Sequence, residues 1–174
     1  MTAVTAYPWY FSFERVMVLG MTEPLSDSQQ AAWRAFVESS WALHTRLEDE
    51  LRAATGLSMA DYHVMVVLSE AHEHRVRMGE LASQLVFSPS RCTYQIASMV
   101  KRGLVRKQSC SDDGRGQEAV LTDAGMAALT AAAPLHLATV RELFIDDLDD
   151  AEIATVTRVF GRLGPRLRSL PVTA

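Results

Sequence analysis

The stretch GELASQLVFSPSRCTYQIASMVKRGLV, Gly79 to Val105, decides the fold. Gly79 to Leu85 puts Leu81, Ala82 and Leu85 on one helical face. Ser88 is a good helix cap, and Pro89 suits the first helical position because its missing N–H would be unpaired there anyway. The helix that opens there is expected to reach Arg102 and stop at Gly103, with Cys92, Ile96, Met99 and Val100 inward. Its outward set is Ser90, Arg91, Thr93, Tyr94 and Gln95, then Ser98, Lys101 and Arg102.

Strand-like segments follow, from Leu104 to Gln108 and from Ala119 to Leu121. Between them, Asp112 to Gln117 holds two acids, two glycines and one arginine, Arg115, as a hairpin tip would. Upstream, Ser58-Met59-Ala60-Asp61 fits a capping box opening a helix to about Ala71 that buries Tyr62, Met65, Val66 and Leu68 or Ser69. Arg75-Val76-Arg77 is short enough to be a single edge strand. Helix, short strand, helix, turn, helix and hairpin is the order of a winged helix-turn-helix, whose second closely spaced helix reads DNA with its N-terminal half. Hydroxyls, an amide, an arginine and a tyrosine stand there, groups that read base edges or hold phosphates.

Farther out, Ser26 or Asp27 caps a long helix to about Ala54, with Trp33, Phe36, Val37, Leu43, Leu47 and Leu51 at helical spacing and Trp41 on a second stripe. Thr122 or Asp123 caps a helix to about Leu148, with a kink or break expected at Pro134. A last helix runs from Ala151 to about Leu163 with Ile153, Val156, Val159, Phe160 and Leu163 inward, and the tail from Gly164 is expected to fray. The fold class is therefore mainly α with a small β-hairpin wing. Residues 58–121 form the winged helix-turn-helix, and residues 26–57 and 122–168 form flanking helices. Residues 1–25 are an extension with no fold role; Met17 or Met21 can serve as a start, because MTEPLSDSQQ reads like an ordinary N-terminus.

The net charge of −4 hides an uneven distribution. Arg75 to Glu118 carries eight bases and four acids, leaving +4 there and −8 elsewhere, as a surface meant for a polyanion would. Hydrophobic residues make up 48% and the longest apolar runs fall far short of a membrane span, so no membrane partner is expected. Cys92 and Cys110 form no disulfide framework, which points to a reducing, cytoplasmic setting. No nucleophile–base set, phosphate loop or metal triad is present, so neither an enzyme nor a cofactor or metal site is read from the chain. His72-Glu73-His74, with His44 and His63, is too loose a spacing for a metal, and surface histidines are the plainer reading.

Gly79-Glu80-Leu81-Ala82, Ser88-Pro89-Ser90-Arg91-Cys92-Thr93, Met99 to Val105, Asp112-Asp113-Gly114-Arg115-Gly116 and Val120-Leu121-Thr122-Asp123-Ala124-Gly125 together resemble the MarR family of bacterial regulators, over roughly residues 27 to 165. The resemblance implies a symmetric homodimer held by the first and last two helices. It also implies a recognition helix from each subunit in successive major grooves of palindromic double-stranded DNA, with the wings alongside. Most such proteins are repressors relieved by a small molecule, and some activate; the effector expected here is a small molecule, aromatic or phenolic. Departures are Met78, a poor cap where the family often has Ser or Thr, the absence of a cysteine from the first long helix, and the N-terminal extension.

Candidate DNA-binding residues are Ser88, Ser90, Arg91, Thr93, Tyr94, Gln95, Lys101, Arg106, Asp113 and Arg115. Arg115 is expected in a minor groove, oriented by Asp113 or Asp112, and Arg91 is suited to guanine. Lys101, Arg102, Arg106 and Lys107 meet phosphates or solvent. Trp41, His44, Arg46, Tyr62 and His63 are candidates for an effector pocket or for interface core. Cys92 reads as core, and Cys110 is the accessible thiol. The alternative is a winged helix used for protein–protein contact without specific DNA binding.

Overall fold

The computed structural model describes residues 23–109 and 116–170. The chain divides into two compact units between Ser39 and Ser40. The described part of the first is the start of a long helix, α1 (Asp27–Thr55). The side chain of Gln29 accepts the Ser26 N–H at 2.9 Å while the Ser26 hydroxyl accepts the Gln29 N–H at 3.3 Å, a reciprocal cap. Trp33 and Phe36 lie against each other here, ring centroids 6.0 Å apart.

The second unit carries the rest of α1 and then α2 (Met59–Glu70), β1 (Arg75–Arg77), α3 (Met78–Gln84), α4 (Pro89–Lys101), β2 (Val105–Ser109), β3 (Gln117–Leu121), α5 (Asp123–Val140) and α6 (Asp150–Ser169). The expected order of elements is the observed one. The three strands form an antiparallel sheet in the order β1-β3-β2, with Arg75 opposite Val120 and Val105 opposite Leu121. β1 is thus an edge strand, and β2 and β3 are the stem of the hairpin.

Capping explains most of the helix starts. Ser58 and Asp61 make the full capping box of α2, and Asp149 and Glu152 do the same for α6. Ser88 caps α4 with Pro89 in the first turn. α3 enters from Arg77 with no side-chain cap, in keeping with the poor cap foreseen at Met78. α4 closes in a Schellman arrangement: Gly103 sits at φ +73, the Leu104 N–H reaches Met99 O and the Gly103 N–H reaches Val100 O, each at 3.0 Å.

The core gathers Met65, Leu68, Leu81, Ile96, Met99 and Val105 with Leu51 from α1 and Leu129 and Ala132 from α5. One close approach fixes α5 to this lobe. The Thr122 hydroxyl caps α5 through the Gly125 N–H and also donates to Gly103 O at 2.7 Å, with Leu104 O at 3.0 Å. A Cβ built on Gly125 would stand 2.1 Å from Leu104 O, so only glycine fits. The Leu-Thr-x-x-Gly pattern is therefore the joint between wing and helix.

Four expectations are corrected. Val100 is 39% exposed and not inward, because Cys92, Ile96 and Met99 already fill the buried stripe. α5 continues through Pro134, and the irregularity comes downstream, as a π-helical turn at Arg141–Ile145 where the Asp146 N–H bonds Arg141 O at 2.9 Å. α6 runs on through Pro165 to Ser169 where a frayed tail was expected. α6 has no fully buried residue, so its expected inward set is only partly covered: Val156, Val159 and Leu163 are half-buried, while Ile153 is 37% and Phe160 43% exposed.

Candidate nucleic-acid interface

A helix turns about 100° per residue, so residues 90, 94 and 101 of α4 share one stripe, with 91 and 93 on its flanks. The structure exposes Ser90, Arg91, Thr93, Tyr94 and Lys101, opposite the buried Cys92, Ile96 and Met99. Tyr94 is 79% exposed, high for an aromatic side chain with no folding task. The Ser88 hydroxyl accepts the Arg91 N–H at 3.3 Å and lies 3.1 Å from the Ser90 hydroxyl, so it is committed largely to the cap. The guanidinium of Arg91 sits over the ring of Phe87, 4.1 Å from its centroid. This stacking gives a long side chain a preferred direction while leaving its donors outward.

The turn that presents α4 is strained. Val86, between α3 and α4, has φ +53, a left-handed conformation that β-branched residues rarely adopt. The Val86 N–H bonds Ser83 O at 3.2 Å and the Phe87 N–H bonds Ala82 O at 2.8 Å, which holds the turn closed.

Two of the candidate side chains lead elsewhere. Gln95 is half-buried, and its Nε2 donates to Asp61 Oδ1 at 2.7 Å. Arg102 donates from Nη1 to Asp61 Oδ2 at 2.7 Å and from Nη2 to Gly56 O at 3.3 Å. Gln95 stands about 100° around the helix from Tyr94, next to the buried stripe, where periodicity alone could not place it. Asp61 itself, 3% exposed, was read only as a capping residue. Burial would push its carboxyl up, but the Ser58 N–H and the Arg102 guanidinium hold it below the ordinary carboxylate value.

On the hairpin stem, Arg106 donates to Gln108 and Gln108 donates to Glu118 Oε2 at 3.1 Å, a cross-strand chain that runs from an exposed arginine to two half-buried side chains. Lys107 is exposed. Asp112, Asp113, Arg115 and Cys110 lie outside the described residues. Cys92 is buried, and burial pushes its thiol up despite the charge of Lys107. The His74 ring nitrogen Nδ1 pairs with Ser69 O at 3.0 Å; among the described residues no group of three or more His, Cys, Asp and Glu is placed to hold a metal. No helix among them is long and apolar enough to cross a membrane.

A cavity of about 220 Å³ lies between the second half of α1 and α5, lined by Leu47, Glu50, Leu51, Ala54, Leu135 and His136 among others. Trp41, His44, Arg46, Tyr62 and His63 do not line it. Tyr62 is nevertheless close, its ring 4.6 Å from that of His136 and 6.4 Å from that of His63. Nδ1 of His136 is buried with no partner. Burial lowers the pKa of His136, and burial with the charges of His136 and His44 lowers that of His63.

The chain is similar to AbsC from Streptomyces coelicolor, a MarR family transcriptional regulator, at 38% identity and a TM-score of 0.80, over 86% of this chain and 100% of that one. The chain belongs to the MarR family. The family's model matches residues 55–116, from the end of α1 through α4 and β2. Sco3205, another MarR family regulator from Streptomyces coelicolor, solved in complex with DNA, is 30% identical over 83% of this chain and 90% of that one, with a TM-score of 0.79. The organohalide-sensing regulator RdhR-CbdbA1625, solved with 2,4-dichlorophenol bound, shares the fold at 18% identity and a TM-score of 0.71, over 91% of each chain. A comparison with curated proteins found no significant match. Membership of the MarR family makes this chain a transcriptional regulator.

Proposed function

We propose that the protein is a homodimeric, sequence-specific DNA-binding repressor of a palindromic operator, acting in the cytoplasm and modulated by a small-molecule effector. The observation that carries this reading is the exposed face of α4, where Arg91 is braced on Phe87 and Ser90, Thr93 and Tyr94 stand clear of the core. The DNA complex of the 30%-identical Sco3205 supports it. Residues 58–121 form the reading lobe, with Lys101 and Arg106 toward phosphates and Arg115, oriented by Asp113, in a minor groove. Ser88 acts mainly by holding the cap, and Gln95 and Arg102 act from behind the surface.

Residues 26–57 and 122–168 form the dimer interface in this reading. Support comes from α6, whose apolar side chains are at most half-buried within one chain, with Ile153 and Leu167 exposed. The effector, an aromatic or phenolic molecule, would enter near the α1–α5 cavity, with Tyr62 and His136 at its edge; at about 220 Å³ the cavity holds only a small ring without rearrangement. No enzymatic role is assigned.

Selection of bound duplexes from a random library tests the proposal. A palindrome with half-sites about one helical turn apart is expected. Arg91→Ala and Arg115→Ala should each weaken binding to it by about 1–3 kcal/mol at matched salt. No enrichment by the wild-type protein would defeat the reading and favour a protein-contact role.

A further inference from the structure

Asp61 is the buried charged residue of the described chain, and its bonds go in three directions. Oδ2 accepts the Ser58 N–H at 2.9 Å, which closes the α2 cap, and also accepts Arg102 Nη1 at 2.7 Å. Oδ1 accepts Gln95 Nε2 at 2.7 Å. The second guanidinium nitrogen of Arg102 passes on to Gly56 O, at the end of α1. Glu48 on α1 reaches the same junction, accepting the Met59 N–H at 2.6 Å. A helix cap needs only the first of these contacts. The others tie the middle and the C-terminal end of α4 to the start of α2 through a single carboxylate, and Arg102 carries the link on to Gly56 at the foot of α1.

Two attachments on one helix do what one cannot. Gln95 and Arg102 are about 10 Å apart along the α4 axis. Tethering both to one point limits rotation of the helix about its axis as well as its tilt, and charge-assisted bonds in a low-dielectric site resist sliding. Rotation of α4 would swing Arg91 and Tyr94 across the groove; tilt would change the separation of the two reading helices in a dimer. Resting on the DNA-binding reading above, we propose that Asp61 is a positioning residue that, through Gln95 and Arg102, sets the angle of the recognition helix against α1 and so the half-site spacing that the dimer accepts. Arg102 therefore spends its charge inside the protein and not on a phosphate, although 38% of its side chain is exposed.

The test uses the full chain and the palindrome selected by the wild-type protein, with half-sites moved apart or together by one and two base pairs. Arg102→Met removes a side chain at the surface and should fold, which thermal melting checks. It is expected to bind the best spacing roughly tenfold more weakly, the loss of one charge-assisted bond felt at a distance. It should also discriminate less among spacings while keeping its base preferences, and Arg102→Lys should recover most of the spacing profile. Gln95→Met should act in the same sense. The salt dependence of binding is decisive against the phosphate role: its log–log slope should stay at the wild-type value, whereas loss of a phosphate contact lowers it by about 0.9. An unchanged spacing profile in both Met variants, a reduced salt slope for Arg102→Met, or relaxed preference at one base pair for Gln95→Met would each overturn the inference while leaving the DNA-binding reading intact. Failure of the wild-type protein to select any sequence would instead remove the reading on which it rests.

Discussion

The lobe from α2 to β3 and the final helix α6 are both rich in apolar residues, yet they use them in opposite ways. In the lobe, Met65, Leu68, Leu81, Ile96 and Met99 are closed off from solvent by their own neighbours. In α6 nothing is buried, and Ile153 and Leu167 stand open on a helix with a full capping box and an uninterrupted length of 20 residues. A helix so well formed and so lightly packed draws little from its own chain's core, although most helix stability in water comes from a buried face. The lobe closes on itself; α6 is left largely open.

The largest expected effect tests the self-sufficiency of the lobe. Gly125→Ala places a Cβ against Leu104 O and Leu121 Cδ1, two atoms that belong to the hairpin stem and its approach. Backbone must move, and the change should destabilise the protein by roughly 3 kcal/mol, at the upper end for overpacking. Urea unfolding followed by circular dichroism would show it, and the loss should not depend on protein concentration. A midpoint equal to wild type would mean that α5 is not locked to the wing as described.

The second test concerns α6. Ile153→Glu leaves the lobe untouched but puts a charge into an apolar face that a second copy would cover. Dissociation should become easier by about 2 kcal/mol. Sedimentation across a range of concentrations reads this directly, while the near-ultraviolet signature of the lobe should stay as it was. A dimer of unaltered strength would show that this part of α6 faces solvent in the assembly.

The same contrast explains what was legible in the sequence. Ser88-Pro89 and the Ser58–Asp61 box are local signals, and both caps form where the residues stand. The inward stripe of α4 was readable at Cys92, Ile96 and Met99, since three residues at helical spacing fix a face. Gln95 was not: it lies at the edge of that face, where a small angular difference separates solvent from a partner, and its partner Asp61 is 34 positions away. Pro134 misled because a first-principles break requires the lost hydrogen bond to matter, and α5 carries the proline on an exposed side. The tail after Gly164 misled in the same way, with Pro165 absorbed into α6. Of the five effector candidates, none lines the α1–α5 cavity; Tyr62 stands beside it against His136, while Leu47, Leu51 and Leu135 line it and read from sequence as ordinary core.

The smallest expected effect lies where the two regions meet. His136 on α5 packs against Tyr62 of the lobe, with Nδ1 buried and unpartnered, and burial lowers its pKa from 6.5. His63 beside it is lowered in the same direction by desolvation and the charges of His136 and His44, but its exposure to solvent makes it the smaller contributor. The unfolded chain then takes up protons at a higher pH than the folded one. Stability should be complete above the unfolded value of 6.5 and decline as pH falls from there toward the folded values. Asp61 cannot be the source of such a slope, because its lowered carboxyl titrates only below 3.8. Urea midpoints between about pH 8 and about pH 5 measure the effect. In His136→Phe the slope should shrink without vanishing, since His63 still titrates, and stability near neutrality should be kept or raised because an unpaired buried nitrogen is gone while the ring contact with Tyr62 remains. A slope as steep as wild type would place the responsible proton elsewhere, and the junction between lobe and flanking helices would be less sensitive to pH than its histidines imply.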